Sequence, residues 1–240
     1  MSRTPRQDQH APAAYYHILN RGHNREAVLA ADADKASFLE LLDRYRRRFS
    51  VRQFHYCLMS NHFHLLVHCG RVHDLSRWMA GLLRAYVHYF HRRSGFVGHL
   101  WQGRFKSPAV AVEAYFLSCA RYIERNPVEA GLVAGPWDYP WSSCRAYALG
   151  ESDPLLWYNV WYQGLAAVSS LRQQRWREFL LGDDPQEAVV RRGDWVVAEE
   201  AERRRLQQEG RPAQRRGRPR KPPPGQEGFF LEFYVDKEVL

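Results

Sequence analysis

The stretch QFHYCLMSNHFHLLVHC, residues 53 to 69, decides the fold. Gln53 to Met59 and His62 to Cys69 are apolar and aromatic runs, and Ser60 and Asn61 separate them. Two short runs of this kind divided by turn-forming residues predict neighbouring strands joined by a tight turn. A strand period of two places His62, His64, Leu66 and His68 on one face and Phe63, Leu65 and Val67 on the other. Such a hairpin suits the centre of a sheet.

Working outward from the hairpin, AYYHILNRG (residues 14 to 22) predicts a first strand that ends in a turn at Gly22. Between Asp34 and Phe49 the residues Phe38, Leu41, Leu42 and Tyr45 fall on one helical face. Beyond the hairpin, Leu75, Trp78, Met79, Leu82, Leu83 and Tyr86 repeat the helical spacing, with Asp74 placed to cap that helix and Gly95 to stop it. Arg104 to Val112 has strand composition interrupted by Pro108, which predicts an edge strand. A third helix is expected from Glu113 to Arg125, ending near Asn126 because Pro127 follows.

The order strand, helix, strand, strand, helix, strand predicts an α+β, ferredoxin-like (split βαβ) antiparallel sheet with helices on one face. Residues 14–150 would form this domain after a flexible leader over 1–13. A helical extension over 151–208 would follow, with helices at Asp153 to Tyr162 and Ala166 to Leu181. Residues 209–240 would be a basic, unfolded tail, since nine Lys or Arg crowd Arg203 to Lys221 among Gly and Pro.

Composition narrows the partner. The 240 residues are 45% hydrophobic and 14% aromatic, enough for a buried core, yet carry a formal charge of +9. A pI near 9.6 favours a polyanion, because each cation set against a phosphate releases counterions. Nucleic acid leads, although an anionic membrane surface or the ribosome fits the same charge. Cys57, Cys69, Cys119 and Cys144 form no CxxC pair and read as reduced core thiols. With no signal-type segment and no membrane-length apolar run, a cytoplasmic, DNA-associated protein is expected.

Two groups of residues could carry chemistry. His62 and His64, side by side on one strand face, could aim two nitrogens at one cation, or serve as buried core histidines. In RYIERNPV, Tyr122 and Asn126 lie one helical turn apart and share a face. A phenol that attacks phosphorus and an amide that completes a metal shell would suit that pairing. A packed aromatic and a helix C-cap would suit it as well.

The separated blocks YHILNRGHNRE (16 to 26), FHYCLMSNHFHLLV (54 to 67), LWQGRFKS (100 to 107), RYIERNPVEAGLV (121 to 133) and WSSCRAY (141 to 147) together widen the comparison. In these blocks the chain resembles the REP-associated tyrosine transposases, a branch of the single-tyrosine HUH transposase superfamily. The resemblance covers residues 15 to 149 and implies a nuclease and strand transferase acting on single-stranded, hairpin-bearing DNA. It assigns the metal histidines to His62 and His64 and the nucleophile to Tyr122, with Tyr115 as the alternative tyrosine. It also places Asn126 where better-known relatives carry a metal-site Gln, which leaves direct ligation by the shorter Asn open.

By the same resemblance the cofactor is a divalent metal, Mg2+ or Mn2+, and the protein acts as a monomer or homodimer. Arg21, Arg25, Arg104 and Lys106, inside the shared blocks, are candidates for phosphate contacts. His17, His55 and His68 read as structural. In the tail, RRGRPRK (215 to 221) contains an AT-hook core in which Arg216 and Arg218 flank Gly217, suited to A·T-rich duplex. The competing readings are a non-catalytic RNA or DNA binding module of RRM-like shape and a domesticated transposase that binds its hairpin without cutting.

Overall fold

The computed structural model describes residues 14 to 110 and 113 to 182. The leader, the end of the extension and the basic tail with Arg216 and Arg218 lie outside the described residues.

Four strands form one sheet: β1 (Ala14–Arg21), β2 (Val51–Leu58), β3 (His62–Cys69) and β4 (Ala109–Val110). Their order is β2-β3-β1-β4 and every pairing is antiparallel, which is the split βαβ arrangement. The edge strand β4 is shorter than the sequence suggests. Pro108 has no N–H for a ladder, and the preceding segment keeps only isolated bridges, such as Lys106 to Leu19.

The alternation read in β3 sorts the two faces. Phe63, Leu65 and Val67 point into a core with Phe38 and Leu42 of α1 (Asp32–Arg46) and Trp78, Met79, Leu82 and Tyr86 of α2 (Val72–Ser94). The two helices cross closely at Gly81, where an added Cβ would lie 2.4 Å from the Tyr45 ring. Asp74 sits in the first turn of α2 and does not cap it, because the helix starts earlier, after an extended Arg71. The expected stop is present: Gly95 has φ of 68°, a left-handed conformation that costs glycine little. Similarly, α1 ends at Arg46, three residues short of the expected Phe49.

The helices are not confined to one face as expected, since the other face, also apolar at Phe54, Cys57 and Leu66, is covered by a third helix, α3 (Glu113–Glu129). Phe54, Cys57 and Leu66 pack there against Phe116, Cys119, Ala120 and Ile123. Contrary to expectation, α3 runs through Pro127 rather than stopping near Asn126. A proline in the last turn removes one hydrogen bond near an end that frays in any case, so it bends the terminus without abolishing it. The first helix expected in the extension is also smaller than read. Asp153 to Asn159 is irregular, and α5 (Val160–Gly164) begins only where Asn159 Oδ1 caps the N–H of Tyr162 at 2.8 Å. Two short helical elements absent from the sequence reading, a 3-10 turn at Pro136–Asp138 and α4 (Cys144–Leu149), complete this layer with α6 (Ser169–Leu181).

Tyr147, Tyr162, Trp176 and Leu180 from α4, α5 and α6 share one core with α3. Glu124, fully buried on α3, ties that core together. Its Oε1 accepts from His55 Nδ1 and from Ser143 Oγ, both at 2.8 Å, and its Oε2 accepts from Trp176 Nε1 at 2.9 Å. The His55 ring stacks on Tyr147 at 4.1 Å and lies beside the Trp176 ring at 5.5 Å, the three rings forming one cluster. Arg121 donates to the carbonyls of Phe179 and Gly182, and Arg125 to that of Leu180, satisfying the open C-terminal end of α6. Glu124→Ala strands two buried donors, His55 Nδ1 and Trp176 Nε1, each worth roughly 1–3 kcal/mol when unpaired, and leaves Ser143 Oγ only the longer contact to the Tyr56 carbonyl. Urea denaturation of that variant is expected to show a loss of about 3 kcal/mol or more. A change below about 1 kcal/mol would show that the network does not hold α3 in place.

Candidate active site

The residues of the RYIERNPV segment divide by helical face. Arg121, Glu124 and Arg125 anchor α3, and Ile123 enters the core, which leaves Tyr122 and Asn126 turned toward the sheet at β1 and β3. The ring of Tyr122 meets the His64 ring edge-on at 5.5 Å and the His17 ring at 6.1 Å between centroids. One turn on, Asn126 Oδ1 is 3.4 Å from His62 Nε2. Tyr122, Asn126, His62 and His64 therefore meet in one place. Tyr122, Asn126 and His62 are partly exposed and His64 is buried, so the group lies where α3 meets the sheet and is open to solvent on one side.

Hydrogen bonds orient both histidines of the pair. His62 Nδ1 is 2.7 Å from Asn61 Oδ1, an oxygen that can only accept, so the proton sits on Nδ1. Asn61 is itself oriented, since its Nδ2 donates to the carbonyl of Arg25 at 3.3 Å. In the neutral ring, Nε2 then presents a lone pair toward the Asn126 oxygen. A proton on Nε2, or a cation between the two atoms, makes that contact favourable. Ligands about 2.1 Å from one cation are separated by roughly 3.0–3.4 Å, which matches this spacing. The His62 and His64 rings are 5.0 Å apart and nearly perpendicular, at 87°.

His64 Nδ1 is 2.9 Å from His17 Nε2, inside the protein. Burial lowers the pKa of His17 to about 4, and it holds His64 well below the usual imidazole range, with His17 and His62 adding to that. Both rings are thus neutral near pH 7, the form that binds metals. The donor set of two imidazoles and an amide oxygen fits a divalent cation that keeps positions for phosphate oxygens and water. Among the described residues no group of three or more His, Cys, Asp or Glu forms a ready-made metal cage. Any ion here would take ligands from Asn126 and from outside the chain.

The basic candidates are dispersed. Arg21 lies opposite His62 in the β1–β3 register, and its Nε donates to Gln102 Oε1 at 2.9 Å. Arg25, exposed, follows in the turn that holds Asn61. Arg104 is exposed and lines a cavity of about 730 Å³ between α2 and the segment from Gly98 to Phe105. Lys106 is half-buried beside β1. Arg21 and Arg25 flank the His62 end of the cluster, and Lys106 bridges Leu19, the residue that stands opposite His64. Tyr115, the alternative nucleophile, packs near Phe116 at the other end of α3. His68 lies against Tyr15 and His55 serves Glu124, so both have the structural surroundings expected of them. His17 does not. Read as structural, it touches the metal-type pair directly, a contact visible only once β1 is seen to lie beside β3.

The family described as Transposase IS200 like matches residues 10 to 126, a span that holds His17, His62, His64, Tyr122 and Asn126. Over that span the chain is similar to the IS200-like transposases. Among solved structures, the chain shares its fold with a REP-associated tyrosine transposase bound to a REP hairpin. The two are 18% identical and superpose with a TM-score of 0.52 over 66% of this chain and 92% of that one. A Deinococcus radiodurans R1 protein assigned as a transposase is 16% identical, with a TM-score of 0.36 over 46% of this chain and 87% of the other. No curated protein matches the sequence. Among the described residues no helix is long and apolar enough to cross a membrane.

Proposed function

We propose that this protein is a transposase that cleaves and rejoins single-stranded, hairpin-bearing DNA, with Tyr122 as the nucleophile. The observation that carries the reading is the meeting of Tyr122 with His62, His64 and Asn126 at one partly exposed place between α3 and the sheet. In the reaction, the Tyr122 oxygen gives up its proton and bonds to phosphorus as the bond from phosphorus to the 3′ oxygen breaks. The 3′ oxygen leaves as a hydroxyl, and the 5′ phosphate stays on the tyrosine. Attack by a second 3′ hydroxyl reverses the step on a new DNA end. Bond energy is conserved throughout, so no nucleotide cofactor is needed.

His62, His64 and Asn126 would hold the metal, Mg2+ or Mn2+, which when bound would offset charge developing on the non-bridging phosphate oxygens. The packing of Tyr122 against the edge of His64 limits where its phenol can point, which favours an in-line approach to a phosphate held beside the histidines. Arg21 and Arg25, at the His62 end, would take phosphates flanking the scissile one, with Arg104 and Lys106 further along the chain. The neighbour's REP hairpin supports a hairpin substrate here. Incubation of the full chain with Mg2+ or Mn2+ and hairpin oligonucleotides should give a covalent protein–DNA adduct and a free 3′ hydroxyl. Tight hairpin binding with no adduct in either metal would instead indicate a binding protein.

The tail would add a second contact. Arg216 and Arg218, on either side of Gly217, fit the narrow minor groove of A·T tracts. Deleting residues 209 to 240 is expected to weaken binding to A·T-rich duplex and to flatten its salt dependence, leaving cleavage of a short hairpin intact. Each phosphate contact removed should lower the slope of log K against log salt by about 0.9. Equal slopes before and after truncation would reduce the tail to a linker.

A further inference from the structure

Each histidine of the proposed metal pair is held through its Nδ1. For His62 the holder is the adjacent Asn61, while for His64 it is His17, from the neighbouring strand. The contact between His17 Nε2 and His64 Nδ1, at 2.9 Å with both rings buried, has room for one proton only. Two protons would repel, and none would leave two buried lone pairs opposed. Which ring carries that proton decides what His64 offers the site. With the proton on His17, neutral His64 must carry its own on Nε2, and that nitrogen cannot ligate. With the proton on His64 Nδ1, the Nε2 lone pair is free.

We propose that His17 is a positioning residue: its Nε2 accepts a hydrogen bond from the Nδ1–H of His64 and so holds His64 in the tautomer whose Nε2 faces the metal and the phosphate. The inference rests on the metal role proposed above for His62 and His64. Three features of the geometry support it. In the strand register His17 is offset from His64 by one pair, since His64 stands opposite Leu19 and His17 opposite Leu66, so the rings meet diagonally across one sheet face. Their planes are tilted by only 30°, which lets the two nitrogens approach nearly in line. Tyr122 lies edge-on to both rings and closes the side of the pair that faces α3. Outer-shell partners of this kind fix the tautomer and orientation of a metal-ligating histidine.

The test compares the full-length protein with His17→Gln, His17→Leu and His62→Ala, measuring Mn2+ affinity by electron paramagnetic resonance without DNA. Gln presents an acceptor oxygen near the position of Nε2, whereas Leu presents none. His17→Leu is expected to weaken Mn2+ binding by about 10–100-fold and His17→Gln by less than about threefold. His62→Ala should weaken it more than either His17 variant. In parallel, 15N-labelled wild type should show His64 protonated on Nδ1, the resonance being assigned by its loss in His64→Ala. A folded His17→Leu protein with wild-type Mn2+ affinity, or a wild-type His64 protonated on Nε2, would overturn the role of His17. If His17→Leu does not fold, the wild-type tautomer and the affinity of His17→Gln decide the matter. Unchanged Mn2+ affinity in His62→Ala would instead remove the metal site itself.

Discussion

Replacing Tyr122 with Phe is expected to lower DNA cleavage by more than about 10⁴-fold and to eliminate the covalent adduct, while hairpin affinity stays within about twofold of wild type. The change removes one oxygen and no ring. Tyr122 is only partly buried, and its ring keeps its edge contacts with His64 and His17, so the neighbouring side chains should remain in place. An unassisted phenol has a pKa of about 10 and is almost entirely protonated at neutral pH, so the reaction depends on that oxygen being activated where it stands. A denaturing gel with end-labelled hairpin reads the adduct and a filter-binding titration reads affinity. Cleavage that persists without an adduct would assign the attack to water. An adduct that persists would assign it to another tyrosine, with Tyr115 tested next.

The split between cleavage and binding follows from how α3 is held. The residues that fix the helix, Arg121, Glu124 and Arg125, lie on faces other than that of Tyr122 and Asn126. Substitution at Tyr122 therefore leaves the anchoring contacts untouched. Substitution at Glu124 should do the reverse, loosening α3 while leaving every reacting group present. A pair of variants that fail for these different reasons separates the nucleophile from its support.

The sequence was most informative where structure depends on local periodicity. Alternation in β3 sorted His62 and His64 from Phe63 and Leu65, and the spacing of Leu75 through Tyr86 predicted the core face of α2. Four-residue spacing put Tyr122 and Asn126 on a common helical face. Local rules misled where one residue was given too much weight. Pro127 did not end α3, because its missing hydrogen bond falls in the final turn. Asp153 to Asn159 was read as helix although it contains Pro154, and it is irregular before the Asn159 cap.

What the sequence could not supply was pairing between distant elements. His17 and His64 are 47 positions apart, and their contact exists only because β1 lies beside β3 in a particular register. Glu124 reads as an exposed helical carboxylate until β2, α4 and α6 bring it His55, Ser143 and Trp176. Buried polar partners of this type leave no periodic trace. A polar residue on the inward face of a predicted strand, as His17 is, remains the nearest available signal.

Removing either histidine of the pair is the second large effect expected. His62→Ala and His64→Ala should each reduce metal-dependent cleavage by about 10³-fold or more, since several kcal/mol of charge stabilisation corresponds to that factor. Their effects on stability should differ. His62 is partly exposed, and Asn61 and Asn126, whose side-chain oxygens contact it, are partly exposed too, so the melting temperature of His62→Ala should hardly move. His64 is buried, and its loss strands His17 Nε2 and leaves a void beside Tyr122, which should cost roughly 1–3 kcal/mol. Cleavage measured across an Mn2+ titration, alongside thermal melts, distinguishes the two causes. If raising Mn2+ restores His62→Ala toward wild type, the histidine contributes metal affinity, with Asn126 and His64 keeping a weakened site. If both variants melt early yet retain wild-type specific activity in their folded fraction, the histidines are core residues and the cation, if one is used, is held elsewhere. A cold, stable His62→Ala protein that binds hairpin DNA but does not cleave it at any Mn2+ concentration would place the ring among the reacting groups themselves.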